Sequence, residues 1–266
     1  MRFSIFVRND DESKALQDQL KERMLQAHHV EDHKHPELVF FIGGDGTFLR
    51  AVHHYLPAIE NITFLGIQTG TLGFFCAYEK DELDQVIQSL DHIHAHEYPL
   101  LQAEITDLDG QKHVIHAINE IRLENPYHTM ISKVFIDNEF LEDYRGNGLL
   151  VSSTLGSSAY NKSCGGALID THLSLLELTE IAPLQNIAYR SIGSSLVLDA
   201  NRKIVFQGNF KTEIIGYDHL LFDSSTPMTK VEITSSPLKI HLVRSSKHNF
   251  PETIRNAFIE VTKEKK

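Results

Sequence analysis

Residues 43–47 read Gly-Gly-Asp-Gly-Thr, directly after the apolar run Leu38–Ile42 and directly before an amphipathic stretch. Glycines at a strand-to-helix turn accept unusual backbone angles and let main-chain amides approach a ligand closely, while the helix start favours anions. The spacing suits phosphate, yet it is neither a G-x-x-x-x-G-K-[ST] loop nor a G-x-G-x-x-G turn. Asp45 is the anomaly: a carboxylate repels phosphate unless it meets a metal ion or takes the proton of an attacking hydroxyl. Phosphoryl transfer to an alcohol is the chemistry this pattern implies. A tight turn in which Asp45 caps the next helix is the structural alternative.

A second glycine-rich stretch, residues 66–75, follows another strand-like run and includes Gly66, Gly70, Gly73, Phe74 and Phe75. Two such loops at the carboxyl edge of a parallel sheet mark the usual ligand position of open α/β sheets. Phe74 and Phe75 can stack on a base or fill a core. Asn119-Glu120 can hold a diol or the edge of a base, or form a plain turn. Residues 156–166, with Ser158, Tyr160 and Ser163 among small residues, read as a further ligand loop. No serine there sits in a G-x-S-x-G frame, which sets a nucleophilic serine aside. His92, His94 and His96 alternate as on one face of a strand, but no carboxylate or cysteine pattern accompanies them, so a solvated face is the expectation.

These loops need elements to hold them. Phe3, Ile5 and Val7 predict a strand, and Leu16, Leu20 and Met24 a helix capped by Asp10 or Asp11. A buried strand at 38–42, a helix through Phe48, Leu49 and Val52, a strand at 62–67 and a helix through Leu83, Val86 and Leu90 complete an α/β unit over residues 1–98. Beyond Tyr98-Pro99 the pattern turns to short β-branched runs: 114–118, 133–136, 149–151, 204–207, 231–234 and 239–243. Residues 99–249 are therefore expected to form a mostly β domain. Asn249-Phe250-Pro251 opens a final helix, 250–266, expected to pack back on the first domain.

The 266 residues, 41% hydrophobic and 23% charged, describe a globular chain of one large or two modest domains. A formal charge of −11 argues against generic capture of nucleic acid or an anionic membrane. The 16 histidines make the charge acid-sensitive. Cys76 and Cys164 offer no disulfide framework and no thiolate zinc cluster, which fits a reducing cytoplasm. The amino terminus reads as a strand and not a signal peptide, and the uncharged stretch 61–78 is broken by glycines and polar residues as no membrane span is.

Taken in order, the segments resemble those of bacterial NAD kinases, in particular the Gram-positive forms. The residues that carry the likeness are Phe41–Leu49, Thr69-Gly70 with Leu72–Phe74, Asn119-Glu120, Tyr144–Leu149, Ala159–Ser163 with Gly165–Leu168, Leu178–Glu180 with Ala182, Gly193-Ser194 and Asp218–Leu220. The resemblance implies an α/β amino-terminal domain, a predominantly β carboxyl-terminal domain and a site between them. It implies transfer of a phosphoryl group from ATP or polyphosphate, with a divalent cation such as Mg2+, to the 2′-hydroxyl of the adenosine ribose of NAD, giving NADP. On it, Asp45 is the base and Gly46 lies against the dinucleotide. Phe74 sits by the adenine, and Asn119 and Glu120 bind adenosine groups. Arg145 and Asn147 lie toward the nicotinamide or a neighbouring subunit, while Ser158, Ala159, Tyr160, Ser163 and Ala182 line the pocket. A cytoplasmic homotetramer or homodimer is implied, with no nucleic-acid polymer and no membrane as partner.

Three sites, four residues in all, depart from the family pattern. Asn147 stands where Asp is usual, Ser153-Thr154 where a Thr-Pro pair is usual, and Gln68 where Asn or His is commoner. Losing the carboxylate at 147 removes a charge that favours a cationic nicotinamide ring. Two other readings use the same residues: a lipid or sugar kinase sharing the Gly-Gly-Asp-Gly loop, and a dinucleotide-binding regulator without turnover.

Overall fold

The computed structural model describes residues 1–70, 73–244 and 250–260. Thr71, Leu72, Asn249, Val261 and the rest of the expected terminal helix to 266 lie outside the described residues. The chain divides into two compact units, Met1–Tyr98 with residues from Leu238 onward, and Pro99–Pro237.

In the first unit, Arg2–Val7, Leu38–Gly43 and Thr63–Gln68 are parallel strands in adjacent register, Ile5 opposite Phe40 and Phe40 opposite Leu65. Helices at Asp11–Gln26 and Asp45–His54 make the crossovers, and a third helix, Leu83–Ser89, follows the last of these strands. Asp10 caps the first of these, its Oδ1 accepting the Ser13 amide at 2.9 Å, which follows from a short acceptor placed just ahead of an amphipathic run. The strand Leu38–Gly43 is buried throughout, as a parallel strand covered on both faces must be. Phe3, Leu20, Phe40, Ile42, Leu65 and Val86 meet in its core.

The second unit is a β-sandwich. One antiparallel sheet runs in the order Leu196–Asp199, Leu175–Ile181, Gly148–Ser153, Glu120–Glu124, Ile214–Tyr217, Leu220–Phe222. The other holds Glu139–Gly146, Met130–Ile136 and Ile204–Phe210. Their inner faces interdigitate through Leu123, Val134, Tyr144, Leu149, Val151 and Phe206. Alternation places these side chains inward along each strand.

The runs 231–234 and 239–243 are one strand, Met228–Val243. Its early residues pair with Ile204–Phe210, and His241 and Leu242 pair in parallel with Thr63 and Phe64. The chain therefore rejoins the first unit at Leu238 instead of after 249: backbone pairing carries it past Ser235-Ser236-Pro237, which reads as a turn from composition alone. The expected strand over His92–His96 also differs. His92 ends a 3-10 turn, His94 lies in the connection, and only His96 is on the strand that starts at Ala95. All three are exposed, and no group of three or more metal-ligating side chains forms among the described residues.

Candidate active site: a braced carboxylate and a buried acidic cluster

Gly43 leaves its strand at φ +151°, where an added Cβ would lie 2.3 Å from the Thr47 hydroxyl. The chain then enters the helix at Asp45, with Gly44 as the capping residue and no side-chain cap. The Asp45 carboxylate does not cap its own helix. It turns to the second glycine-rich loop and accepts the Phe74 amide with both oxygens, at 2.9 and 3.0 Å, and the Phe75 amide at 3.2 Å. Only glycine at 73 permits this approach, since a Cβ there would sit 2.5 Å from Asp45 Oδ1. Gln68 braces the same turn, its Oε1 accepting the Gly73 amide at 3.1 Å. Arg244 donates to the Phe74 carbonyl at 2.7 Å.

Burial raises the Asp45 pKa, against the two loop amides and the Arg244 charge, which lower it. The carboxyl is thus anchored by amides, has a helix start at its back and titrates above the ordinary Asp range. Phe75 is core, packed on Phe48 at 4.7 Å between ring centres. Phe74 is half-buried with its ring 5.7 Å from that of Phe258. Gly46 is exposed in the first turn of the helix.

In the second unit Asn119 and Glu120 are both buried. Asp218, in a left-handed backbone conformation at φ +47°, accepts the Ile118 amide at 2.9 and 3.1 Å and the Asn119 amide at 2.7 Å. The Asn119 carbonyl accepts the Ser153 amide at 2.8 Å. Gly156 passes so close that a Cβ would lie 2.0 Å from that carbonyl. Asn119 Oδ1 and Glu120 Oε2 have no hydrogen-bond donor. Arg122 pairs with Glu120 at 3.3 Å and with Glu124 at 3.0 Å, and Tyr160 donates to Glu124 at 3.1 Å. Burial, followed by the nearby Asp218, pushes Glu120 up to about 8, so at neutral pH it is largely a proton-bearing acid able to donate as well as accept. Burial and the Glu124 charge raise the Tyr160 phenol.

Asn147, Tyr160 and Ala182 line one cleft of ≈ 490 Å³ together with Glu124 and the apolar side chains of Pro126, Ile181, Ile214 and Leu221. The Asn147 amide donates to the Asn125 carbonyl at 3.0 Å. Ala182 holds φ +47°, an uncommon angle for a residue with a Cβ. Arg145 stacks over the Tyr189 ring at 4.6 Å. Ser158 and Ala159 precede the short helix Tyr160–Ser163, Ser163 is its last residue, and all three are at least partly exposed. That helix rests on a buried network: Asn161 donates to Glu177 at 2.7 Å and accepts from Thr179 at 2.7 Å. Gly166 packs against the Asn161 amide, where a Cβ would be 2.2 Å away.

Residue spacing did not reveal Arg122, Glu124 or Arg244 as members of these clusters. Asp218 carried a signal only as part of a shared segment, because it meets Asn119 across 99 positions of chain.

Residues 5–98 match the family model for the ATP-NAD kinase N-terminal domain, and residues 118–245 that for the C-terminal domain. An NAD kinase of Limosilactobacillus reuteri subsp. reuteri (strain JCM 1112) is 35% identical, over 97% of this chain and 98% of that protein. One from Streptococcus thermophilus (strain CNRZ 1066) is 37% identical, over 85% and 82%. Among solved structures, the fold is shared with a yeast NADH kinase complexed with NADH, at TM-score 0.81 and 17% identity, over 100% of this chain and 90% of that one. It is also shared with an NAD kinase from Archaeoglobus fulgidus in complex with ATP, at TM-score 0.77 and 18% identity, over 96% and 99%. With both family domains matched in order and a 35% identical relative aligned over 97% of the chain, this chain belongs to the NAD kinase family.

Proposed function

We propose that this NAD kinase moves the terminal phosphoryl group of ATP, or of polyphosphate, to the 2′-hydroxyl of the adenosine ribose of NAD. The observation that carries the proposal is Asp45, a carboxylate on a glycine loop that is held by backbone amides and not by a cationic side chain. Burial keeps the group basic, and the amides hold it in place. In the step, the 2′-oxygen forms a bond to the terminal phosphorus as that phosphorus parts from the bridging oxygen of the donor. The hydroxyl proton passes to Asp45, and NADP results together with ADP, or with a polyphosphate shorter by one phosphate.

Asn119 and Glu120 bind the adenosine part, supported by two buried acceptor atoms that lack donors. Asn147, Tyr160 and Ala182 bind further along the dinucleotide, supported by their shared cleft. Gly46, Phe74, Arg145, Ser158, Ala159 and Ser163 complete the set proposed to bind it. The donor side suits a divalent cation carried by the phosphates: the loop offers one carboxylate, no group of three or more metal-ligating side chains forms among the described residues, and magnesium favours coordination through one or two carboxylates and phosphates. When bound, the ion supplies charge neutralisation at the phosphates. We further propose a cytoplasmic homo-oligomer; the exposed apolar Leu221 beside the cleft supports a covered face. No helix among the described residues is long and apolar enough to cross a membrane.

The test incubates the protein with NAD, ATP and Mg2+ and reads NADP with an NADP-specific dehydrogenase, with Asp45→Asn alongside and polyphosphate as alternative donor. NADP from the wild type and not from the variant is expected. NAD-induced thermal stabilisation without any NADP would replace the kinase by a dinucleotide-binding regulator.

A further inference from the structure

Glu142 lies on the strand Glu139–Gly146 and Glu180 on Leu175–Ile181, one from each sheet of the sandwich. They are 8% and 7% exposed. Glu142 Oε2 accepts the Ile192 amide at 2.9 Å, and Glu180 Oε2 accepts the Gly193 amide at 2.8 Å. Because they take the amides of two consecutive residues, the carboxyl groups are neighbours, yet Oε1 of each has no donor. Neither carboxylate forms an ion pair with Lys, Arg or His among the described residues. The Tyr144 phenol also faces the pair, but its proton is given to the Ile181 carbonyl at 2.7 Å.

Two ionised carboxylates in that position would be facing acceptors with like charge and no donor, a state that buried sites avoid by retaining a proton. We propose that Glu142 and Glu180 share one proton, and that this proton fastens the far end of the segment 182–193 to the sandwich. The rest of the segment lies at the surface. Its near end is tied by the Leu184 amide on the Arg145 carbonyl at 2.8 Å, while Gln185–Arg190 is exposed, Ile187 fully so. The pair therefore positions the segment that begins at Ala182 and carries Tyr189, the partner of Arg145. It takes no part in the chemistry assigned to Asp45, and the inference does not depend on that assignment.

Burial first, and the neighbouring Glu180 second, push Glu142 up to about 7. A carboxyl whose pKa is raised in the fastened state, against 4.5 when released, favours fastening most below about 4.5. The advantage drains away as pH rises toward 7 and is constant above it.

The test is amide hydrogen exchange of Ile192 and Gly193 in the full chain, corrected for intrinsic rates, from pH 5 to 8.5. The wild type is compared with Glu142→Gln and Glu180→Gln. In the wild type, the opening constant of these two amides should rise by up to about tenfold per pH unit and level off above 7. In the Gln variants a side-chain amide supplies the donor permanently, so the opening constant should be flat. The Val205 and Phe206 amides, in the sandwich core, report whether the fold is intact. A pH-independent wild type, the same pH dependence in both folded Gln variants, or amides unprotected at every pH would each overturn the proposal. If a variant fails to fold, 13C carboxyl titration of the wild type decides: one proton taken up near neutrality supports the shared proton, and two titrations in the ordinary Glu range overturn it.

Discussion

Asp45 and Phe74, 29 positions apart, are joined by a forked contact in which one main-chain amide serves both carboxylate oxygens, at 2.9 and 3.0 Å. The contact sets the plane of the carboxyl group without neutralising it. A salt bridge in the same place would hold the group as firmly but lower its basicity.

Asp45→Asn should therefore cut turnover by about 10²–10⁴-fold, leaving NAD-induced thermal stabilisation in place. Because burial raises the Asp45 pKa and the base acts ionised, wild-type activity should fall toward acid, starting at a higher pH than for an ordinary Asp. A pH–rate profile with no acid limb would remove Asp45 as the base.

Gly73→Ala brings a methyl group to 2.5 Å from Asp45 Oδ1. Displacing a reacting group by about 1 Å costs on the order of 10²-fold in rate, so kcat should fall by that order. The midpoint of thermal unfolding should change little, since residue 73 is not in the core. Steady-state kinetics beside a melting curve separates the two.

Glu120 titrates near 8 in the folded chain against an ordinary 4.5. Its burial thus costs stability that grows as pH rises from 4.5 to 8. Glu120→Gln should raise the melting temperature by about 5 °C at pH 8 and have little effect at pH 5. An equal shift at both pH values would show that Glu120 titrates normally.

Asn147→Asp would restore the residue usual in the family, yet here it faces the Asn125 carbonyl, which now takes a donor at 3.0 Å. Carboxylate against carbonyl should cost about 1–2 kcal/mol, lowering the melting temperature at pH 8. The loss should shrink in acid, where a protonated Asp can donate. An unchanged melting curve at pH 8 would mean that the Asn125 contact contributes nothing.

Asp218→Ala removes the acceptor of the Ile118 and Asn119 amides. Two buried amides without partners should destabilise the chain by about 3 kcal/mol and raise KM for NAD more than they lower kcat. Chemical denaturation and kinetics check both parts.

What the sequence determined by itself was what lies close along the chain. The parallel strands and crossover helices of residues 1–98 were legible because buried apolar runs and the 3.6-residue period are local signals. So was the glycine loop around Asp45, because the anomaly of a carboxylate in a phosphate-like turn is contained in five residues. Family membership was legible from several short segments in a fixed order. Only the tertiary structure decided which alternative each residue adopts. Asp45 forgoes its own helix for the amides of residues 74 and 75, and Phe75 goes to the core while Phe74 stays half-exposed. Met228–Val243 runs as one strand through a turn-like Ser-Ser-Pro. Asp218 meets Asn119, and Glu142 meets Glu180, across long stretches of chain. These outcomes rest on register between strands distant in sequence and on burial that unites charges. Neither leaves a periodic trace, because pairing partners and the desolvation of a carboxyl group exist only once the sheets have formed.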